Sequence, residues 1–536
     1  MTTSAIDADS LFTALQDGAE IALIDPREEG RFGTSHLLLA VNVPLSRLEL
    51  LIGRLIPRRS TRIVVTDDGG DLAERAAVRL DELGYSRVEI LTGGIFAWRA
   101  AGFELFSGMS VPGKAFGEWI AVTCQTPCIS AEELHQMLFA GDDVLILDSR
   151  PDNEYLNMNI PGSINVPVSE LVYRFAELPV KPDTLVVVNC AGRTRSLIGA
   201  QALIDAGIPN RVAALRGGTM AWQMAGFSLE HGSTRHAPEP WGRNLESAAQ
   251  RARAVAERFG VTMIDETILA TYKAERDQRS LYVIDVRTPD EFCSGHRPDS
   301  FHAWGVQLVQ SLDKYVATRN SRIVLVDNYQ VRAQMTAAWL KQAGWPETYV
   351  LADPFRGFPL ESGDARKCDQ SFDRDKITLI EAVELNARLK TGQITVIDVS
   401  SSLSFKQRHI PGAWFAIRSR LVECLETIPH NGTLVVTGSD LSMALLVADD
   451  LSRLTGHTVF LLQGGTEAWV AAGYPVASGY ENLGTAVDDI FLMPFLWGHF
   501  EDQGEFEKAA HDYFEWELQL PEQMYRSGEI AFSRDS

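Results

Sequence analysis

Short, continuous apolar runs alternate along this chain with stretches of helical periodicity. In one such unit a predicted helix, residues 131–140, precedes the apolar run 144–147, which ends at Asp148. A second apolar run, 185–188, leads through a polar loop into another helical stretch. Strands that are apolar throughout are buried on both faces. Their alternation with helices therefore predicts an α/β fold in which a parallel β-sheet is flanked by helices on both faces.

This unit is repeated along the chain. The segment 87–98, which ends in Gly-Gly-Ile-Phe-Ala-Trp, recurs with small changes at 211–222 and at 458–469. The first two copies are 124 positions apart and the last two are 247 apart, which is about two such periods. A degenerate copy is therefore expected between them, and the segment 281–292 resembles 144–155. A period of this length exceeds that of solenoid repeats and fits four tandem domains.

We therefore divide the chain into four modules and a C-terminal tail. The predicted bounds are 8–107 for module one, 128–231 for module two, 263–363 for module three, 376–478 for module four and 479–536 for the tail. The segments 108–127 and 232–262 are interpreted as linkers. The tail contains Tyr513-Phe-Glu-Trp516 and is too aromatic for a disordered segment. We expect it to dock on a module or on a second subunit, so an oligomer is possible through the tail.

The residue with the clearest chemical potential is Cys190. It follows the run 185–188 and precedes a helix, so it lies at the carboxyl end of a parallel strand, where such sheets bind ligands. The helix N-terminus, Arg193 and Arg195 should all favour the thiolate, which is the nucleophilic form of cysteine. A buried core cysteine is the alternative, but the polar loop fits it poorly. We predict Cys190 as the catalytic residue. The predicted substrate-binding residues are Ala191, Gly192, Arg193, Thr194, Arg195 and Ser196.

These motifs, taken together, resemble those of the rhodanese family of sulfurtransferases. The strand end Asp148-x-Arg150, the turn Ile160-Pro-Gly162, the cysteine loop and the closing element 217–222 occur in the family's order and spacing. The resemblance covers residues 8–478 as four modules and implies a parallel sheet flanked by helices. It also implies that Cys190 accepts a sulfane sulfur as a persulfide and passes it to an acceptor, with no cofactor and no metal. Family loops usually carry a glycine three residues after the cysteine, and here that position is Arg193.

The equivalent loops of the other modules lack a cysteine. Alignment on the strand before and the helix after places Asp67 of module one and Asp327 of module three opposite Cys190. In module four Ser439 lies within a residue of that position. Aspartate cannot form a persulfide, and a serine nucleophile needs a general base, for which this loop has no histidine. We therefore expect module two to be catalytic and the other three modules to be inactive.

Two other classes of function are kept open. Related folds use a cysteine–arginine loop to bind oxyanions such as phosphate or arsenate, with five residues between the two. Only four residues separate Cys190 from Arg195, which is the sulfurtransferase size, so an oxyanion enzyme is disfavoured. A sulfur carrier or scaffold, whose partners dock on the inactive modules or the tail, is compatible with a reactive Cys190.

The amino-acid composition limits the kinds of partner that the protein can bind. The net charge is −22, with 71 acidic against 49 basic residues, which argues against nucleic acid and anionic membranes as partners. We expect a small anionic sulfur donor such as thiosulfate and a thiol or cyanide as acceptor, with an acceptor protein as a further candidate. No apolar run reaches about 18 residues, no secretory signal is visible, and six cysteines over this length do not form a disulfide framework. A cytoplasmic location is therefore expected.

Overall fold

A computed structural model of the chain describes residues 4–363, 378–392, 394–429, 432–456, 458–494 and 502–534. Residues 376–377, at the predicted start of module four, lie outside these ranges. So do residues 495–501 and 535–536 of the tail.

Each module has its own sheet, in which all the strands that the module supplies run parallel within the described residues. In spatial order, module one has Ser4–Ile6, Val88–Leu91, Arg62–Val65, Ile21–Asp25 and Val41–Asn42; module two has Cys128–Ile129, Val212–Leu215, Leu185–Asn189, Val144–Asp148 and Ile164–Asn165; module three has Thr262–Ile264, Thr348–Leu351, Arg322–Val326, Leu281–Asp285 and Phe301–His302; and module four has Thr378–Ile380, Val459–Leu462, Thr433–Thr437, Ile394–Asp398 and Trp414–Phe415.

Helices cover both faces of these sheets, as the continuous apolar runs predict. The α-helices of module one are Ala8–Gln16, Glu29–Phe32, Leu48–Leu55, Leu72–Glu82 and Gly94–Ala100; those of module two are Ala131–Ala140, Asp152–Asn157, Leu171–Arg174, Thr194–Asp205 and Gly218–Met224; those of module three are Glu266–Ala274, Pro289–Ser294, Gly305–Gln310 and Val331–Gln342; and those of module four are Ala382–Leu389, Ser402–Gln407, Leu421–Thr427, Leu441–Thr455 and Gly465–Ala471. Short 3₁₀ turns lie at Leu45–Arg47, Val168–Glu170, Phe175–Glu177, Leu312–Lys314 and Arg418–Arg420.

The central strand of module two shows why the fold forms. Val186, Val187 and Val188 have no exposed surface, because helices pack on both sides of the strand. The first helix of the module begins at a capping box in which Ser130 and Glu133 satisfy each other's backbone N–H groups. The predicted α/β class with four parallel sheets flanked by helices is confirmed.

The modules are joined by more than their linkers. Strand Thr318–Arg319 of module three pairs antiparallel with Ile21–Asp25 of module one, with Thr318 opposite Ala22. An edge of the first sheet is thereby covered by another module, which protects its unpaired backbone groups.

Helices outside the repeats complete the arrangement. The first linker contains a helix, Val111–Thr123, here called the linker helix, and the second contains Gly242–Arg258. The tail contains Gln503–Ser527, here called the tail helix. The tail helix packs against the linker helix, and its residues Leu520 and Met524 enter the core of module one. Within this chain, the tail helix thus docks on module one, as one of the two sequence-based expectations has it.

Candidate active site

The strand Leu185–Asn189 and the helix Thr194–Asp205 position Cys190 between them. The cysteine is the first residue after the strand, at the carboxyl edge of the sheet. The helix has no side-chain cap at Arg193 in this structure. The N–H groups of a helix's first turn lack intrahelical acceptors and carry the positive end of the helix dipole, so they face the loop as an anion-binding surface.

A glycine pair holds the cysteine loop in place. Gly217 and Gly218 have φ values of +70° and +56°, which favour glycine. A Cβ on Gly218 would lie 2.2 Å from the carbonyl oxygen of Cys190, so no larger residue fits there. This approach lets the backbone N–H of Thr219 donate to that carbonyl at 2.8 Å, and its hydroxyl donates to it at 3.1 Å. The Gly-Gly repeat element therefore supports the catalytic loop directly.

Asp148 and Arg150 brace the same edge of the sheet. Arg150 donates to both carboxylate oxygens of Asp148, at 2.9 and 2.7 Å, and to the carbonyl of Met158 at 2.6 Å. Asn189, the residue before the cysteine, donates to Asp148 at 3.0 Å. The arginine is 1% exposed. This pair acts as a structural brace of the loop.

The thiol of Cys190 lies inside the loop and is 2% exposed. Its Sγ is 3.6 Å from the hydroxyl oxygen of Ser196, which in turn donates to the carbonyl of Arg193 at 2.8 Å. Ser196, one of the predicted substrate-binding residues, thus links the sulfur to the backbone of the loop.

Both loop arginines are paired with glutamates. Arg193 binds Glu118 of the linker helix through two contacts of 2.7 Å, and Arg195 binds Glu154 at 2.7 and 2.9 Å. Burial opposes the charge of Arg195, but its contact with Glu154 outweighs burial and holds the pKa of the guanidinium above its ordinary value. For the same reason the pKa of Arg193 is also raised. Both cations stay charged, and each is electrically balanced by its partner.

Three further residues reach the loop from outside module two. Tyr513 and Glu517 project from the tail helix, and Lys114 projects from the linker helix. Lys114 donates to the Tyr513 hydroxyl and, at 3.3 Å, to Glu517. Thr194 of the loop donates to the same glutamate at 3.3 Å. Burial lowers the pKa of Lys114 although Glu517 opposes it, and burial raises the pKa of Tyr513 well above its ordinary value.

Sequence reasoning did not find these residues. Lys114 and Glu118 are spaced i,i+4, as are Tyr513 and Glu517, so each pair lies on one face of its helix. That spacing predicts a shared face but not the surface it packs on, because the partner residue lies 75 positions away for Glu118 and 323 positions away for Glu517.

The other modules place different residues at the position of the cysteine. In module one the residue in this position is Asp67. A Cβ on Gly94 would lie 2.2 Å from the carbonyl oxygen of Asp67, just as a Cβ on Gly218 would lie 2.2 Å from that of Cys190. In module four the residue with this contact is Gly438, the neighbour of Ser439. In module three Asp327 follows the strand and accepts from the N–H and guanidinium of Arg332. Module two alone among the described loops carries a thiol at this place.

The described ranges contain no helix that is both long and apolar enough to cross a membrane. In the same ranges no three His, Cys, Asp or Glu side chains are grouped as a metal site would require.

Comparison with known proteins agrees with this geometry. The family model described as "Rhodanese-like domain" matches residues 8–101, 130–225, 269–358 and 381–472. The chain belongs to the rhodanese-like family and carries four such domains in tandem.

Individual relatives extend the match. A solved structure described as thiosulfate sulfurtransferase from Pseudomonas aeruginosa is 43% identical, covers 99% of both chains and superposes with a TM-score of 0.93. A sulfurtransferase of Allochromatium vinosum is 34% identical over 19% of this chain and 92% of its own length. A thiosulfate sulfurtransferase of Azotobacter vinelandii is 30% identical over 28% of this chain, which spans 64% of that relative's length.

Proposed function

We propose that this protein is a sulfurtransferase that carries a sulfane sulfur as a persulfide on Cys190. The enzyme class rests on the four rhodanese-like domains and on the full-length likeness to a thiosulfate sulfurtransferase. The assignment to module two rests on one observation: its described loop has a cysteine where the loops of modules one, three and four have Asp67, Asp327 and Gly438.

The first half-reaction loads the enzyme. The thiolate of Cys190 attacks the outer sulfur of thiosulfate, a new S–S bond forms to the enzyme, and the donor's S–S bond breaks. Sulfite leaves with that electron pair. The N–H groups at the start of helix Thr194–Asp205 stabilise the anionic outer sulfur of the resulting persulfide.

The second half-reaction unloads it. A nucleophilic acceptor, either a thiolate or cyanide, attacks the outer sulfur of the persulfide. The enzyme's S–S bond breaks, and Cys190 leaves as a thiolate stabilised by the same N–H groups. We place this chemistry in the cytoplasm, because the five cysteines of the described residues are all free thiols, as in a reducing compartment.

The role of the six loop residues follows from their positions. Residues Ala191 to Ser196 follow Cys190 directly and run into the first turn of helix Thr194–Asp205, and we propose that they bind the donor chiefly through their backbone N–H groups. Arg193 and Arg195 fix the shape of the loop through their ion pairs with Glu118 and Glu154. In each pair the positive and negative charges balance each other.

The assignment is tested by turnover with thiosulfate and cyanide. Cys190→Ser should abolish thiocyanate formation, because serine has no sulfur with which to form the S–S bond of a persulfide. Cys124→Ser and Cys128→Ser are the matched controls and should retain wild-type turnover. Retained activity in Cys190→Ser, or its loss in either control, would contradict the assignment.

A further inference from the structure

The tail helix forms a roof over the catalytic loop. A methyl group built on Gly192 would lie 3.4 Å from Cε1 of Tyr513 and 3.8 Å from Oε2 of Glu517. Phe514, the next residue of the helix, would lie 3.1 Å from a methyl group built on Gly217. The tail helix therefore leaves little room for a side chain at either glycine, and it contacts the cysteine loop directly through Glu517 and Thr194. Cys190 itself is 2% exposed.

The ring of Tyr513 is held in this position from two sides. Its apolar face joins a buried cluster with Met220 of module two and Phe506 and Ala510 of the tail helix. Its hydroxyl accepts from Lys114 and donates to Glu517. Glu517 has no exposed surface and also accepts from Thr194 of the loop. The roof is thus a packed and hydrogen-bonded part of the active site.

Access to Cys190 requires movements of different size for a small molecule and for a folded protein. A small molecule needs only a local rotation of side chains near Gly192. A folded protein needs the tail helix itself to leave, and that would expose Leu520 and Met524, which are buried in the core of module one. Local openings are far more frequent than the release of a packed helix.

We propose that Tyr513 is a specificity-determining residue that limits access to Cys190 to small donors and acceptors and excludes the thiols of folded proteins. This inference deepens the proposed function, since the substrate class matters only if Cys190 carries sulfur. It concerns the site's access, which can be measured on the thiol without any sulfur transfer.

The test is the alkylation of Cys190 in the full chain by reagents of two sizes, iodoacetamide and a polyethylene-glycol maleimide. The exposed Cys293 serves as an internal reference for the intrinsic reactivity of each reagent, and peptide mapping quantifies both residues. In the wild type, the Cys190-to-Cys293 rate ratio should be lower for the large reagent than for iodoacetamide by about ten-fold or more. Equal ratios for the two reagents would overturn the proposal.

Variants of the tail helix test whether the ring of Tyr513 causes the difference between the two reagents. Tyr513→Ala should reduce the difference between the two reagents by about ten-fold, because it removes the ring over Gly192. Tyr513→Phe keeps the ring and should behave as the wild type. Tyr525→Ala makes the same change at an 89% exposed position of the same helix and should have no effect. An unchanged ratio in Tyr513→Ala, or an equal change in Tyr513→Phe, would overturn the role of the ring.

A second variant covers the case in which Tyr513→Ala releases the tail helix. Hydrogen exchange at Leu520 and Met524 reports that release. Tyr513→Leu keeps apolar volume against Met220 without the ring, so it should shift the ratio in the same direction with the helix still protected. No shift in that variant would count against the proposal. If size selection holds but thiosulfate forms no persulfide, the proposed function fails while the access inference stands.

Discussion

At the scale of single residues, the charges around Cys190 are arranged in pairs. The guanidinium of Arg195 meets both oxygens of Glu154, and that of Arg193 meets both oxygens of Glu118. The donor that we propose, the thiosulfate dianion, would therefore meet two loop arginines whose charges are already balanced by glutamates. The pairing lets us separate the effect of charge from the effect of loop structure.

Removing the negative or the positive charge of one pair should change KM for thiosulfate in opposite directions. Glu154→Gln leaves the positive charge of Arg195 unbalanced and should lower KM for thiosulfate by about ten-fold. Arg195→Gln leaves the negative charge of Glu154 and should raise it. Steady-state kinetics with varied thiosulfate measure both. If both substitutions raise KM alike, the pair acts through loop structure rather than through charge.

At the scale of elements, the strand, loop and helix around Cys190 could be predicted from the sequence because their signals are local. The apolar run 185–188 forms the strand itself, and the glycine pair Gly217–Gly218 belongs to an element that recurs in the repeats, so both could be recognised in the sequence. Glu118 lay in a segment that the sequence identified only as a linker. Nothing in its neighbourhood along the chain shows that its helix packs beside the catalytic loop.

The glycine pair gives a prediction that belongs to this scale. Gly218→Ala adds a Cβ that would lie 2.2 Å from the carbonyl of Cys190, so the loop must shift and turnover should fall by more than about ten-fold. Gly226→Ala is the control, because its φ of +79° is equally unfavourable but its Cβ would meet nothing within 4 Å. Gly226→Ala should lose about 1 kcal/mol of stability from its unfavourable φ alone, and Gly218→Ala should lose more because its Cβ also collides with backbone atoms; thermal unfolding measures both. Equal losses of turnover in the two variants would contradict this role of Gly218.

At the scale of the whole molecule, ion pairs join modules that lie far apart in the chain. Arg332 of module three reaches Glu170 of module two at 3.1 Å, and Arg418 of module four reaches Glu49 of module one at 2.6 Å. These contacts and the path of the tail could not be read from the sequence. They depend on how modules pack, and the repeat pattern is the same on every module regardless of its neighbours.

A cysteine placed at the position equivalent to Cys190 should not make an inactive module catalytic, and module one offers the test. Asp67 accepts from the N–H groups of Gly69 and Ala73 at 2.8 and 3.0 Å, so its side chain is part of the loop's structure. Asp67→Cys removes those bonds, and the loop still carries Asp68, which pairs with Arg31, and Asp71 in place of the arginines of module two, so it has no cation of its own for an anionic donor. We expect no thiosulfate turnover from Asp67→Cys in a Cys190→Ser background, assayed beside Cys190→Ser alone. Substantial turnover would mean that module one lacks only its nucleophile.

The tail's attachment should depend on pH through Glu529. Burial raises the pKa of this carboxyl from 4.5 to about 8, although Arg319 opposes the shift. The folded state therefore binds more protons than the unfolded state in this window. The contribution of Glu529 to stability is full below about pH 4.5 and is lost as the pH rises towards 8.

Glu529→Gln should remove this dependence. The variant is expected to be more stable than the wild type at pH 8, by roughly 1–3 kcal/mol, because a buried charge is replaced by a neutral amide. Thermal unfolding at pH 5.5 and pH 8 measures the difference. Glu522→Gln, at a position that is 81% exposed, should leave the pH dependence unchanged. A wild-type pH profile in Glu529→Gln would exclude this group as its source.

The central claim is that Cys190 carries the transferred sulfur, and its most direct test is the mass of the loaded enzyme. Full-length protein is incubated with thiosulfate in the absence of an acceptor, and intact mass and peptide mapping follow under non-reducing conditions. We predict the gain of one sulfur atom, located on the peptide that contains Cys190, and its loss on addition of cyanide. Sulfur located on Cys124, Cys128, Cys293 or Cys424 instead, or no added mass while turnover proceeds, would contradict the account.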